Sequence, residues 1–585
     1  MLPPDARMLL TEQLRPPVGL RLDHAVATTF TLDLPSALLV PLAFAGHRLR
    51  ETEDPVEVLH AVRSCADRID VFCQAGQLKV PAQAPALAAF LESVVHQVRR
   101  PRPGHLFHPK LWLVRYVDDD GEFTYRLLVL TRNLTADRSW DLCVRLDGVP
   151  GSRRPVAFRP LTALLQALPG WCVTAMPDDR ARRVTELAEQ CRQVEWELPT
   201  DVDGLRFHAL GVAGGGRPDF AGTRQLVVSP FCTPDGLDVV APAGGQEAYV
   251  VARQDELDRL PAEVADEFES FVLDEMAGVP DEESQAGAGV LTGLHAKMYV
   301  VEYAQRARVL IGSANATRAA FAGNVEFLVE LAGTKWKLGI DTMLGEGVPL
   351  SQILQPYERM SVEAPDEDLV LDSALVDLAS VAFTAEVAAD GNKYRLRVTT
   401  ADELPSVPAG LRASIGLLTR PGESRPIRPG EPLDCHFDGL TITELTPFLI
   451  LTVRGDRGQQ RRTTVRARLL GDPDGRLDEI LAEQIATPDR FLKFLLLLLG
   501  FGESGALPSL AATGAGGAWS GTGSGLFELM VNALADRPDA LDDLRRLVRR
   551  LLGTERGRAV LPDGFEELWD AVQAAHEALS EEVPA

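Results

Sequence analysis

Apolar runs of about four to eight residues recur along the first 335 residues, parted by polar, Gly and Pro clusters. Runs rich in Val, Leu and Ile at 26–32, 37–42, 69–73, 111–114 and 127–130 predict buried strands, as do 225–231, 248–251, 298–301, 309–311 and 326–329. Helices are expected between them. Asp54-Pro55 has the N-cap and N1 chemistry to open one through residue 66. Residues 85–99, 153–167, 178–194 and 255–260 read as further helices, and 118–122 as a hairpin turn.

Beyond residue 362 the pattern changes. An acidic stretch at 362–374 reads as a linker. Residues 381–470 carry short alternating runs with Pro and Gly punctuation, which predicts a small β-sandwich or barrel. Its basic stretch, Arg454 to Arg462, reads as a solvated hairpin tip, with phosphate-backbone contact as the functional alternative. From 476 the spacing becomes helical. The run 489–499 is apolar nearly all round, 504–524 is a Gly, Ala and Ser loop, and one helix carries Arg545, Arg546, Arg549 and Arg550.

The strand pattern repeats, and the repeat carries chemistry. The first copy has His108-Pro109-Lys110 at the head of an apolar run and Thr131-Arg132-Asn133 at the end of the next. The second copy has His295-Ala296-Lys297 and Ser313-Ala314-Asn315. An acid follows each, Asp141 and Glu326. Residues i and i+2 of a strand share a face, so each His projects beside its Lys. Two facing copies would supply two imidazoles, two ammonium groups and two amides. That set suits a phosphodiester: one imidazole attacks phosphorus, the other protonates the leaving oxygen, and Lys and Asn hold the charge on the non-bridging oxygens. Carboxylates can fix the imidazole tautomers. Lysine supplies the positive charge, so no metal or other cofactor is expected.

At these residues the chain resembles the phospholipase D superfamily, whose signature is H-x-K followed by G-S-x-N. The second copy matches with His295, Lys297, Gly312, Ser313 and Asn315, and with Asn324-x-Glu326 beyond. The first departs: Leu130 and Thr131 replace Gly and Ser, and Arg115 stands where the second copy has Glu302. With Asp137 and Trp140, the first copy also looks like the tyrosyl-DNA phosphodiesterase branch. The resemblance covers about residues 20–335. It implies an α/β fold of duplicated phospholipase D-like lobes, β-α-β-α-β sandwiches related by a pseudo-two-fold, with one site between them. The expected division is 1–175 and 176–345 for the lobes, 346–380 for a linker, 381–472 for the β-rich domain and 473–585 for a helical region. By the resemblance His108 is the nucleophile and His295 the general acid and then base. Lys110, Lys297, Asn133 and Asn315 bind phosphoryl oxygens, Thr131, Arg132 and Ser313 assist, and Asp141 and Glu326 orient imidazoles. Ser229-Pro230-Phe231 also recurs in such lobes and reads as a buried turn.

Composition narrows the substrate. The net charge of −25 is unlike a nucleic-acid coat, so a polyanion must be met by a local patch. Seven cysteines, scattered and without a C-x-x-C, point to a reducing compartment and against zinc. The N-terminus lacks the apolar core of a signal peptide, which predicts a cytoplasmic protein. Arg99, Arg100, Arg102 and Arg115 flank the first motif, and Arg132 lies within it, which favours DNA as substrate. The alternatives are a phospholipid phosphodiesterase or transphosphatidylase, and a catalytically spent scaffold. By analogy with large bacterial relatives, the resemblance implies a DNA-restriction or phage-defence system, with a helicase among its partners.

Overall fold

The computed structural model describes residues 9–44, 65–82, 86–136, 139–242, 247–274, 293–360 apart from 346 and 349, 369–485, and parts of 487–581. Its first sheet holds β1 (Arg21–Thr29), β2 (Ile69–Gln74), β3 (Val95–Val98), β4 (Leu111–Val117), β5 (Phe123–Leu130), β6 (Cys143–Pro150) and β7 (Val194–Trp196). The strand order is β3-β2-β1-β4-β5-β6-β7. The first three strands are parallel, and the rest run antiparallel from β1 outward.

The second sheet repeats this plan. It comprises β8 (Val202–Leu210), β9 (Arg224–Val228), β10 (Glu247–Val251), β11 (Glu269–Leu273), β12 (Met298–Tyr303), β13 (Arg306–Gly312), β14 (Glu326–Thr334) and β15 (Leu354–Pro356). The order is β15-β11-β10-β9-β12-β13-β14-β8. Without β15 and the edge strands β7 and β8, the two orders coincide, with β9, β10 and β11 parallel and the others antiparallel; β7 follows β6 in the chain, whereas β8 precedes β9. The chain is a duplicated α/β protein.

Alternation along the strands divides the cores. On β4, Leu111 and Leu113 face a core shared with Val300, Val309 and Phe327 of the second sheet. Trp112 and Val114, one residue out of phase, join a second core on the outer face. Helices Arg159–Trp171 and Asp178–Cys191 bury Leu161, Leu164, Leu165, Leu168, Val184 and Leu187 in the shared core. The outer core of the first lobe also takes Ile480 and Leu481 of helix Arg476–Gln484 and Phe565, Trp569 and Val572 of helix Phe565–Glu581.

Two expected elements differ. Residues 37–42, expected as a strand, belong to helix Leu34–Phe44. A continuous apolar run carries no period to separate the two; the deciding signal is Asp33, whose carboxylate accepts the Ser36 amide at 2.8 Å as an N-cap does. Residues 85–99, expected as one helix, form a 3-10 helix at Ala86–Leu91 and then β3. The β-branched Val94, Val95 and Val98 prefer the strand. The helix expected at 54–66 lies outside the described residues except for its last two.

The region 381–470 forms two four-stranded sheets. Their strands are β16 (Phe383–Asp390), β17 (Lys393–Glu403), β18 (Arg412–Leu417), β19 (Arg420–Ile427), β20 (Pro432–Leu440), β21 (Phe448–Arg454), β22 (Gln460–Arg466) and β23 (Arg468–Leu470). The orders β20-β17-β16-β23 and β19-β18-β21-β22 enclose a core with Leu396, Val398, Ile415, Leu451 and Phe437. The linker expected at 346–380 is structured in part. β15 extends the second sheet, and Leu371, Leu375 and Leu378 of helix Leu369–Ala379 pack in the sandwich core. The sandwich sits against the first lobe: Gln97 Nε2 donates to Thr464 O at 3.0 Å, and Arg466 N donates to Gln97 Oε1 at 2.7 Å. The runs 494–499 and 504–524, and Arg546 and Arg550, lie outside the described residues.

Candidate active site

Each His-x-Lys segment enters a strand, β4 or β12, that runs antiparallel to β1 or β9 of its own lobe. Its histidine therefore stands at the C-terminal end of β1 or β9. Each segment is tied to the opposite lobe. His108 N donates to Val325 O at 2.9 Å, and Val325 N to Leu106 O at 2.8 Å. In the mirror position, His295 N donates to Trp140 O at 2.8 Å, and Trp140 N to Gly293 O at 2.9 Å. The residue before each acid-bearing stretch is thus bridged to the residue before the histidine of the other copy, Phe107 to Val325 and Leu294 to Trp140. These bridges bring the two motifs together across the lobe boundary.

Glu326, fully buried on the second lobe, faces His108 of the first. His108 Nδ1 lies 2.9 Å from Glu326 Oε2. The carboxylate is itself held by the Ser313 hydroxyl and, at 3.0 Å, by Asn324 Nδ2. A proton on Nδ1 donates to the carboxylate and leaves Nε2 as the free lone pair. Burial pushes His108 down to about 4 against the opposing pull of Glu326. The imidazole is therefore neutral at neutral pH. Burial works against the Glu326 carboxylate, yet His108, Lys110 and Ser313 outweigh it and hold its pKa below the usual value. The Phe30 ring meets His108 edge-on at 5.1 Å and forms one wall.

Both lysines are buried. Lys110 Nζ donates to His108 O at 3.0 Å, and Lys297 Nζ donates to His295 O at 2.8 Å and Thr131 O at 3.2 Å. Burial first, then their mutual repulsion, drives Lys110 well below the usual ammonium range. Burial also lowers Lys297 to about 7, with Glu326 opposing and the Arg253 charge adding to the fall. Two lysines confined in this way form a seat for an anion, whose charge favours their protonated forms.

The remaining residues complete two similar half-sites. Thr131 and Ser313 each accept a backbone amide with their hydroxyl oxygen, from Leu142 at 2.8 Å and Phe327 at 2.9 Å. Asn133 Oδ1 accepts from Thr31 N at 3.3 Å. Asn315 is half-buried, and its Oδ1 has no hydrogen-bond partner among the described residues. Asp141 lies 3.7 Å from Arg132, and burial raises its carboxyl against the pull of Arg132 and Lys297. His295 is partly exposed. Gly312 is tightly constrained, because a Cβ there would lie 2.1 Å from Phe327 O. In the first lobe Leu130 stands in its place and turns its side chain into the outer core.

The two lobes place their motifs as the resemblance implies. The paired H-x-K segments and the exchange of residues across the lobe boundary are present on both sides. The departure at Arg115 is also accounted for. Glu302 binds Arg224 at 3.3 Å and the Ile340 amide at 2.7 Å, whereas Arg115 binds Asp23 at 2.6 Å. The same strand pair keeps its ion pair with the charges exchanged.

No family model matches the chain, and no curated protein does. Among solved structures the chain is similar to yeast tyrosyl-DNA phosphodiesterase, at 13% identity and TM-score 0.38, over 61% of this chain and 96% of that one. It is also similar to phosphatidylserine synthase of Haemophilus influenzae Rd KW20, at 10% identity and TM-score 0.31, over 60% of this chain and 84% of that one. At such values neither match bears on what this chain acts on.

Some residues at the site went unread in the sequence. Strand register makes Gln74 and Arg253 equivalent: Thr28 pairs with Leu111 and Phe72, Val228 with Met298 and Val251, and each of these two residues lies two further on. Gln74 Oε1 accepts from Phe107 N at 2.8 Å, and Arg253 donates twice to Leu294 O at 3.2 Å. Each braces the residue before its histidine. Ser229 bonds Phe231 O at 2.7 Å and the Ala316 amide at 2.9 Å, as Thr29 bonds Thr31 O at 2.8 Å and the Leu134 amide at 3.0 Å. The Ser-Pro-Phe turn thus anchors the Ser-x-Asn loop.

The flanking arginines read as a DNA-facing cluster are engaged within the protein. Arg99 binds the carbonyls of Cys172 and Val173, Arg100 binds Asp377, Arg102 binds Ala322 O, and Arg115 binds Asp23. His105 packs against Gly323. Among the described residues no group of three or more His, Cys, Asp or Glu is placed to hold a metal, and no helix is long and apolar enough to cross a membrane.

Proposed function

We propose that this chain is a phosphodiesterase that cleaves nucleic acid, DNA foremost, through a phosphohistidine. The observation that carries the reading is the His108–Glu326 pair, set across the lobe boundary beside two buried lysines. Neutral His108 attacks phosphorus through Nε2, and His295 gives a proton to the departing oxygen. The P–O bond breaks as the P–N bond forms. Positive charge on the new phosphohistidine is met by Glu326. Water, deprotonated by His295, then attacks phosphorus and releases His108. Lys110, Lys297 and Asn315 stabilise charge on the non-bridging oxygens in both steps. Nucleic acid is preferred over phospholipid on the resemblance of the first motif, Thr131-Arg132-Asn133 with Trp140, to the tyrosyl-DNA phosphodiesterase branch. A place in a DNA-restriction or phage-defence system, beside a helicase, is part of the proposal and rests on the family resemblance.

The test is incubation with labelled single- and double-stranded DNA, RNA and phosphatidylcholine vesicles in excess EDTA, with His108→Ala alongside. DNA cleavage that survives chelation and vanishes in the variant is expected. Turnover of the vesicles alone would replace the nucleic-acid reading by the lipid one.

A further inference from the structure

The two half-sites differ in charge at the position that braces the residue before each histidine. The first lobe has neutral Gln74, and the second has Arg253. Arg253 binds Leu294 O, one residue before His295, through Nε and Nη2. Its guanidinium lies 4.7 Å from the centroid of the Phe231 ring, and Phe231 is 37% exposed. A guanidinium has five N–H donors, so the carbonyl and the ring leave an edge of donors unspent. Arg132 has Asp141 as a carboxylate partner, whereas Arg253 has none among the described residues. Its charge reaches Lys297, which places it beside the anion seat. A braced arginine stacked on an aromatic ring, with free donors and no carboxylate, is built to receive an anion.

We propose that Arg253 is a substrate-positioning residue that binds the phosphate next to the scissile one, on the His295 side. The second lobe then selects a chain of phosphates over an isolated phosphodiester. This rests on the phosphodiesterase reading above and names what its site prefers. Phe231 holds the guanidinium plane in place, and the brace on Leu294 couples its position to His295.

Arg253→Gln is the informative variant. It installs the residue of the first lobe, whose amide can still donate to Leu294 O, and removes only the charge. The probes are a labelled single-stranded oligodeoxynucleotide and bis(4-nitrophenyl) phosphate, which has one phosphate. The ratio of kcat/KM for the first to that for the second should fall about 10-fold, carried by KM. The slope of log affinity against log salt for the oligonucleotide should shrink by about 0.7, the loss of one phosphate contact on a single strand. An unchanged ratio and slope would overturn the proposal. Failure of the wild type to turn over either probe would fall on the phosphodiesterase reading. The salt slope of oligonucleotide binding would then decide the role of Arg253 by itself.

Discussion

Glu326 on the second lobe and His108 on the first meet at 2.9 Å, 218 residues apart in the chain. The pair makes the site a property of the interface between lobes. The carboxylate fixes the proton on Nδ1 and supports the charge that Nε2 acquires on attack.

Glu326→Gln keeps a hydrogen bond to Ser313 or His108 but cannot hold the charge. We expect kcat to fall about 10²–10⁴-fold with little change in KM. The direction of the pH effect follows from the same pair. Glu326 raises the His108 pKa, so its removal lowers it further below about 4. The acidic limb of kcat/KM, where His108 protonates and ceases to be a nucleophile, should move to lower pH. A limb that stays in place or rises would separate Glu326 from His108 function.

Lys297 is held near 7 by burial, and an anion seated beside it favours the protonated form. Below its pKa the lysine is charged, and above it the charge is lost. Anion affinity should therefore decline as pH rises through about 7, and binding near pH 8 should take up protons. Titration calorimetry with inorganic phosphate in two buffers of different ionisation heat measures this uptake. Zero uptake, or proton release, would contradict the account.

A second buried network lies at the far end of the first sheet. Asp70 accepts from His24 at 2.9 Å, His96 at 2.7 Å and Arg180 Nε at 2.9 Å. It is four residues before Gln74 on the same strand, roughly 13 Å from the site end. Burial works against the carboxylate, and the histidines and Arg180 hold its pKa far below the usual range. Stability from this carboxylate is present above the unfolded pKa of about 4 and is lost as pH falls toward the folded one. Asp70→Asn leaves Arg180 without its buried carboxylate, although it keeps the Ala66 and Ile69 carbonyls, and should cost about 3–5 kcal/mol in denaturant unfolding. Specific activity of the folded fraction should stay near wild type. A loss of activity without loss of stability would place this network in the reaction.

The motifs were legible because their chemistry is local. His-x-Lys and Ser/Thr-x-Asn each sit within three residues, immediately before β4 or β12 and immediately after β5 or β13. The duplication was legible for the same reason. The exchange between copies was not. Nothing in the spacing of Asn324, Glu326 and His108 says that the acid of one copy serves the histidine of the other, because that contact depends on packing of the shared core. Gln74 and Arg253 share no residue type or motif, and only strand register aligns them. The arginines around residue 100 misled in the opposite sense. Their clustering in sequence resembles a binding patch, but carbonyls and carboxylates of the fold take up their donors. The helix at Leu34–Phe44 was hidden by an apolar run without period, although Asp33 and Ser36 mark its start.

The central claim is that His108 forms a bond to phosphorus. His295→Ala removes the base needed for the second step and also the acid of the first, but 4-nitrophenolate leaves without an acid. Thymidine 5′-(4-nitrophenyl phosphate) given to this variant should release about one nitrophenolate per site in a burst and then stall. Mass spectrometry after alkaline quench should find the thymidylyl adduct on the peptide containing His108. A burst with the adduct on another residue, or turnover in the variant without any adduct, would contradict the account.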